Sequence, residues 1–128
     1  MDFLFFKNLN LSKNSMSCLF CKIIKGEIPA QTLYEDDLVL VFRDINPQAP
    51  DHFLTVPKKH IATAYDMEEE DKSLVGHMFW VAQKVSQDLG HQKEGCRFIL
   101  NCQEGGGQTV FHLHLHTLAG KPFREKMV

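Results

Sequence analysis

The chain has 128 residues, of which 44% are hydrophobic and 23% charged, and its formal net charge is −2. This length predicts a single domain with its own core, and the composition is that of an ordinary soluble globular protein. The nearly balanced charge gives no electrostatic reason to expect a nucleic-acid polymer or an anionic membrane as a partner. We expect residues 1–15 to form a disordered extension and residues 16–128 to form the domain.

No segment of the sequence is typical of a secretory signal or a membrane span. The apolar run at residues 3–6 is too short for a signal-peptide core. The cysteines are therefore predicted to be thiols or metal ligands rather than disulfide partners: Cys18, Cys21, Cys96 and Cys102. The expected compartment is the cytosol, with the nucleus kept open as a second location.

In chain order, the apolar spacing first predicts a short helix over residues 19–24 that ends at Gly26. Strands are predicted over residues 32–34, 38–43, 52–56 and 97–101. Between the third and fourth strands, apolar residues from Leu74 to Leu89 recur at spacings of three and four, with a cap expected at Asp66 and Glu69 and a stop at Gly90. Hairpin-like strands with two segregated helices predict an α+β fold with an antiparallel sheet.

The stretch VFHLHLHTL, residues 110–118, places three histidines at alternate positions and predicts a fifth strand. Side chains alternate along a strand, so His112, His114 and His116 are expected on one face. Burying polar rings without partners costs about 1–3 kcal/mol each, which favours a shared function. Two chemistries fit: metal ligation, or nucleophilic catalysis by one neutral imidazole that its neighbours orient.

A glycine-rich loop precedes this stretch and helps to choose between the two chemistries. Gly105, Gly106 and Gly107 let the backbone approach a ligand, and successive exposed N–H groups suit phosphate oxygens. Gln108 and Thr109 offer further donors. The combination favours phosphoryl chemistry over a bare metal site.

The segment GGQTVFHLHLHTL resembles the signature of the histidine triad (HIT) family of nucleotide hydrolases and transferases, His-φ-His-φ-His-φ-φ with φ apolar. The segment DINPQAPDHFLTVPKKHI, residues 44–61, is similar to a second block of that family, in its purine nucleoside phosphoramidase branch. The resemblance spans residues 18–120. Thr117 departs from the apolar pattern, and residues 121–128 lack the aromatic and proline-rich ending of some members.

The resemblance implies a five-stranded antiparallel sheet with one short N-terminal and one long helix, and a homodimer with a continuous sheet. It implies hydrolysis of the P–N bond of adenosine 5′-monophosphoramidates to AMP and an amine through a nucleotidyl-histidine intermediate, with no cofactor for catalysis. The alternatives are hydrolysis of dinucleoside polyphosphates, a non-catalytic nucleotide-binding module, and a catalytic metal held jointly by the three histidines.

The resemblance also implies roles for single residues. His114 would be the nucleophile, His116 would contact the phosphate together with Gln108 and Thr109, and His52 would assist orientation. Asp44 would accept hydrogen bonds from the ribose hydroxyls, its alternative being a solvated turn residue. The expected substrate-binding set comprises Asp44, Ile45, Phe42, Leu19, Phe20, Ile23, Leu54, Asn101, Gly107, Gln108 and Thr109.

Cys18 and Cys21 form a C-x-x-C pair, which together with distant histidines suits a tetrahedral zinc site. The resemblance completes this structural site with His60 and His112, and buried free thiols are the alternative.

Three other pairs of residues are expected to lie outside the catalytic and metal sites. Phe79 and Trp80 are neighbours on the long helix, so one is expected in the core and the other against a partner surface. Cys96 and Cys102 are expected as small core residues, and His77 and His91 as solvated.

Overall fold

The computed structural model describes residues 17–128, and the extension expected at residues 1–15 lies outside them. We number the main elements in chain order as α1 (Leu19–Ile24), β1 (Thr32–Glu35), β2 (Val39–Arg43), β3 (Asp51–Pro57), α2 (Lys72–Asp88), β4 (Cys96–Ile99) and β5 (Leu115–Ala119). Single turns of 3-10 helix lie at Ala64–Asp66, Glu69–Asp71 and Glu104–Gly106. Among these described residues, no helix combines the length and the apolar character needed to cross a membrane.

The five strands form one antiparallel sheet in the order β1-β2-β3-β5-β4. This confirms the predicted α+β architecture. Alternation along β2 and β3 gives each face of the sheet its own core: Val39, Val41 and Phe53 pack with α2 on one face. Leu40 and Leu54 pack with α1 on the other. We call these the helix face and the cavity face.

Strand β5 is shorter than predicted and begins at Leu115, so His112 and His114 precede it. The reason lies in its neighbour β3. Thr55 is opposite Leu115, so continuing the register would set Leu113 opposite Pro57, which has no N–H to donate. Leu113 N instead donates to the Ile61 carbonyl at 2.6 Å.

The predicted cap of the long helix is wrong. The Asp66 carboxylate turns back to Thr63, whose backbone N and Oγ1 donate to it at 3.1 and 2.8 Å. Asp71 accepts from the backbone N of Glu68 at 2.9 Å, immediately before α2 begins.

Several expectations about single residues are also wrong. Phe79 and Trp80 are both exposed, at 43% and 56%, so neither enters the core. Cys96 and Cys102 are free but only partly buried. His77 and His91 each face a carboxylate rather than solvent. His77 Nε2 lies 2.6 Å from Asp36 Oδ2, and His91 Nε2 contacts Asp51 Oδ2.

The end of β5 is tied to the start of β3 by close backbone packing. Gly120 has φ +98°, and a Cβ at this position would lie 2.9 Å from Cβ of Pro50. Only glycine accommodates both the left-handed backbone and this approach. The packing holds β5 beside the residues that lead into Asp51 and His52.

Candidate active site

A cavity of about 350 Å³ lies between α1 and the cavity face of the sheet. Ten residues expected to act on substrate line it: Leu19, Phe20, Ile23, Phe42, Asp44, Ile45, Leu54, Thr109, His114 and His116. Sequence reasoning missed six further lining residues: Ile28, Pro29, Ala30, Arg43, Asn46 and Val110. The Ile28-Pro29 pair was a usable signal, because a residue before proline favours extended backbone and this segment connects α1 to β1.

His114 is buried at one wall of this cavity with its ring orientation fixed. Its Nδ1 lies 2.7 Å from the carbonyl oxygen of His112, and a carbonyl can only accept, so Nδ1 carries the proton. Phe20 packs edge-on against the ring, with centroids 5.1 Å apart. In the neutral ring, Nε2 therefore holds an unshared electron pair.

His52 and His116 form a hydrogen-bonded pair beside His114. The backbone N–H of Gln48 donates to His52 Nδ1 at 3.0 Å, so the neutral His52 ring carries its proton on Nε2. That nitrogen lies 2.9 Å from His116 Nδ1, which accepts. The neutral His116 ring is then left with its own N–H on Nε2.

Burial keeps these rings neutral at physiological pH. Burial is the largest influence on all three, and it lowers the pKa of His114 and of His52 below the ordinary value. For His116, burial and the neighbouring rings of His114 and His52 lower the pKa to about 4.

Asp44 lies at the end of β2, next to the histidine pair. One carboxylate oxygen accepts from the backbone N of Asn46 at 2.8 Å. The other lies 3.5 Å from His52 Nε2. Asp44 also lines the cavity, so its carboxylate stands at the junction of the cavity and the histidine pair.

Three expected substrate contacts do not line the cavity: Asn101, Gly107 and Gln108. Gln108 is buried, and its amide nitrogen donates to the carbonyls of Ala62 and Val110 at 2.7 and 3.0 Å. Both amide hydrogens are engaged, and the amide oxygen accepts from Gln103 N at 2.8 Å. In this structure, Gln108 therefore supports the loop that carries Thr109 rather than offering a free donor.

A second cluster gathers Cys18, Cys21, His60 and His112, whose ligand atoms all lie within 4.8 Å of one another. His112 Nε2 lies 2.7 Å from the Pro57 carbonyl, so it donates and leaves the Nδ1 electron pair free. This Nδ1 lies 3.3 Å from Cys18 Sγ and 3.5 Å from Cys21 Sγ. Cys21 Sγ lies 3.3 Å from His60 Nδ1.

The chemistry and spacing of this cluster fit zinc. Four ligands at ordinary Zn–S and Zn–N distances lie about 3.3–3.8 Å from one another in a tetrahedron, close to the distances above. Burial and the adjacent Cys18 raise the pKa of the Cys21 thiol to about 11, so a bound cation would have to displace its proton.

Asp44, His52 and His116 form the other group of potential ligands within residues 17–128, and it does not fit a metal. Ligation through His52 Nε2 would move the ring proton to Nδ1, where the N–H of Gln48 already points. Two donors would then face each other. The backbone therefore selects a hydrogen-bonded pair at this position.

The fold and the site together define an α+β domain with alternate histidines at an apolar cavity. The family model for the HIT domain matches residues 25–123, and the chain belongs to this family.

Relatives of known structure or activity agree with this assignment. The chain is 45% identical over 104 residues to the purine nucleoside phosphoramidase of Escherichia coli strain K12, which covers 81% of this chain and 87% of that protein. A histidine triad protein from Clostridium difficile superposes with a TM-score of 0.84 at 47% identity, over 87% of this chain and 96% of that one. A Zn-bound histidine triad family protein from Mycobacterium smegmatis has a TM-score of 0.76 at 34% identity, over 88% and 81%. These relatives support a nucleotide hydrolase in general terms.

Proposed function

We propose that this protein hydrolyses the P–N bond of adenosine 5′-monophosphoramidates, giving AMP and an amine, with His114 as the nucleophile. The observation that carries the proposal is the bond from His114 Nδ1 to the His112 carbonyl, which leaves Nε2 unprotonated in a ring that lines the cavity. The phosphoramidase activity named for the Escherichia coli relative supports the choice of reaction.

The proposed reaction has two displacements at the α-phosphorus. His114 Nε2 first attacks phosphorus, and the P–N bond breaks as the leaving nitrogen, protonated from solvent, departs as the amine with its electron pair. Water then attacks the nucleotidyl-histidine, the bond from Nε2 to phosphorus breaks, and the proton that water releases balances the one taken up. His114 recovers its neutral ring.

His116 and Thr109 are the proposed contacts to the phosphoryl oxygens. The remaining Nε2–H of His116 is the proposed donor to the charge that builds on these oxygens, and Thr109 lines the same cavity. His52 keeps His116 in the tautomer with this donor, because its own Nε2–H occupies His116 Nδ1.

The remainder of the cavity is the proposed nucleoside site. Phe20, Phe42 and Leu54 offer apolar surface to a purine. Ile45, which lines the same cavity and is 90% exposed, is the proposed cover for the base. The Asp44 carboxylate is the proposed acceptor for the ribose hydroxyls, with one oxygen already fixed by Asn46 N.

A structural zinc ion is part of the proposal. Cys18, Cys21, His60 and His112 would hold it, supported by the fit of their spacing and by the Zn-bound relative. Zinc there would cross-link α1 to the segment that carries His114. Four free cysteines suit a reducing cytosolic compartment.

We also propose a homodimer that extends the sheet through β4. This strand pairs only with β5 in the described part of the chain and is an open edge. The exposed ring of Phe98 on β4 contacts that of Phe79 on α2, with centroids 6.0 Å apart, so an aromatic surface adjoins the edge. Sedimentation at micromolar protein should give a species of twice the chain mass.

Turnover of an adenosine phosphoramidate beside a dinucleoside triphosphate tests the function. Wild type should release AMP from the phosphoramidate, with or without a chelator present in the assay. His114→Ala should lose at least about 1000-fold in kcat and still bind AMP, whereas His77→Gln, a histidine substitution outside the cavity, should remain active. Preference for the dinucleoside triphosphate, or full activity of His114→Ala, would contradict the proposal.

A further inference from the structure

Three side chains from separate elements meet on the helix face of the sheet, and one of them, Arg43, belongs to a residue that also borders the cavity. Arg43 at the end of β2 donates through Nη1 to Asp51 Oδ1 at 2.7 Å. His91, just beyond α2, places Nε2 2.5 Å from Asp51 Oδ2. Asp51 therefore joins the two strands to the segment that follows the long helix. We call these residues the Asp51 network.

The chain neighbours of this network are two residues of the site. Asp44 follows Arg43 and His52 follows Asp51, and the backbone N of Asp44 donates to the His52 carbonyl at 2.9 Å. Because side chains alternate along a strand, Asp51 shares the helix face with Phe53 while His52 projects to the cavity face. One short piece of backbone thus carries the network on one side and two site residues on the other.

The connection between β2 and β3 is largely exposed, so its own packing does little to fix the two strand ends. In the connection from Ile45 to Pro50, Ala49 is buried and the other five residues are exposed. Partial burial acts to raise the pKa of Asp51, but the hydrogen bonds from Arg43 and His91 outweigh it and hold the pKa below its usual value. The carboxylate is therefore charged at neutral pH and binds both partners.

We infer that the Asp51 network is a positioning device for the ribose end of the site, which holds Asp44 and His52 at a fixed separation. This inference rests on the proposed role of Asp44 as acceptor for the ribose hydroxyls. Positioning errors of about 1 Å can cost about 100-fold in rate. Loosening the network is therefore expected to affect discrimination at the ribose more than folding.

The test compares kcat/KM for an adenosine phosphoramidate with that for its 2′-deoxy analogue. Asp51→Asn keeps the size of the side chain and removes its charge. Its preference for the ribose substrate should fall about tenfold, a fraction of the loss that misplacement can cause, chiefly through a higher KM for the ribose substrate. Arg43→Lys, which retains a cation for Asp51, should retain most of the preference.

Glu35→Gln is the matched control, because Glu35 pairs with Lys58 at 2.8 Å between the ends of β1 and β3, outside the cavity lining. It makes the same change from carboxylate to amide in a cross-strand ion pair and should leave the ratio unchanged. A merely structural role predicts lower melting temperatures for Asp51→Asn with no change in the ratio.

The outcomes separate the inference from the function beneath it. If wild type prefers ribose, Asp44→Ala loses the preference and folded Asp51→Asn keeps it, the inference is overturned and the proposed function stands. If wild type shows no ribose preference, the Asp44 assignment fails and the inference fails with it. Should Asp51→Asn not fold, His91→Gln, which disturbs only one of the two contacts, provides the same ratio test with a smaller expected fall.

Discussion

Two clusters of imidazoles lie near each other and differ in what they are suited to bind. In the cluster of Cys18, Cys21, His60 and His112, the Pro57 carbonyl accepts a hydrogen bond from the Nε2–H of His112. The Nδ1 electron pair of that ring is then directed at two sulfurs. In the cluster of Asp44, His52 and His116, a backbone N–H occupies the His52 electron pair and directs a proton at the neighbouring ring. In each cluster, a single backbone group thus distinguishes side chains suited to hold a metal from a hydrogen-bonded pair, His52 and His116, which we call the relay.

Apart from replacement of the proposed nucleophile, removing the relay should give the largest effect. His52→Leu, whose side chain has no N–H, takes away the donor that fixes the His116 tautomer. We expect kcat to fall by about 100-fold, the lower end of the loss when a donor to developing charge is removed. Zinc binding should be unchanged, because His52 is not in the sulfur-containing cluster. Steady-state kinetics beside a zinc titration measure both, and a variant with unchanged kcat would show that the relay has no catalytic role.

Removing a sulfur should affect stability through the metal. Zinc at 100 times its Kd should stabilise wild type by about 2.7 kcal/mol, seen as a higher melting temperature. Cys21→Ser should lose this response, whereas Cys96→Ser, at a partly buried thiol outside the cluster, should keep it. A zinc response that survives Cys21→Ser but disappears in Asp44→Asn would show that zinc binds at Asp44, His52 and His116, which would contradict the proposed zinc site.

Acid should reveal the burial of the relay. The pKa of His116 is about 4 in the folded protein and about 6.5 in the unfolded chain, so the unfolded state takes up this proton first as pH falls. The contribution of neutral His116 to the free energy of unfolding is fully present above about pH 6.5 and is lost progressively as pH falls from about 6.5 to about 4. His116→Gln should show a shallower fall in melting temperature over this range, and an equally steep fall would contradict the assigned burial effect.

The smallest expected change in stability comes from Thr117, on the helix face of β5, and should leave both clusters intact. Thr117 Oγ1 is buried without a hydrogen-bond partner among the described residues, so Thr117→Val should raise the free energy of unfolding by about 1 kcal/mol. Thr63→Val is the control, because Thr63 Oγ1 bonds to Asp66 and accepts from Tyr65 N, and it should destabilise. Denaturant unfolding measures both, and a loss of stability in Thr117→Val would contradict the assignment.

Local patterns predicted most of the fold. The spacing of apolar residues located both helices, and alternation with turn residues located the ends of β1 to β4 to within two residues. The start of β5 was wrong because it depends on Pro57, a residue more than fifty positions away, which ends the ladder on the neighbouring strand. Alternation within the histidine stretch carries no information about that partner.

The candidate site was predicted unevenly for a related reason. Motif residues such as His114 and Asp44 line the cavity. Gln108 turns away from it, because its amide nitrogen donates to the carbonyls of Ala62 and Val110. His91 was expected in solvent and meets Asp51 across forty residues of chain. Contacts of this kind depend on tertiary packing, and a one-dimensional pattern does not contain them.

Direct observation of the ring protons is the most decisive measurement. Long-range ¹H–¹⁵N correlation spectra of the ¹⁵N-labelled protein at neutral pH, assigned with single histidine substitutions, report which nitrogen of each ring is protonated. We expect Nδ1–H for His114 and Nε2–H for both His52 and His112. A proton on Nδ1 of His52, or on Nε2 of His114, would contradict the claim that the backbone assigns these rings to their separate roles.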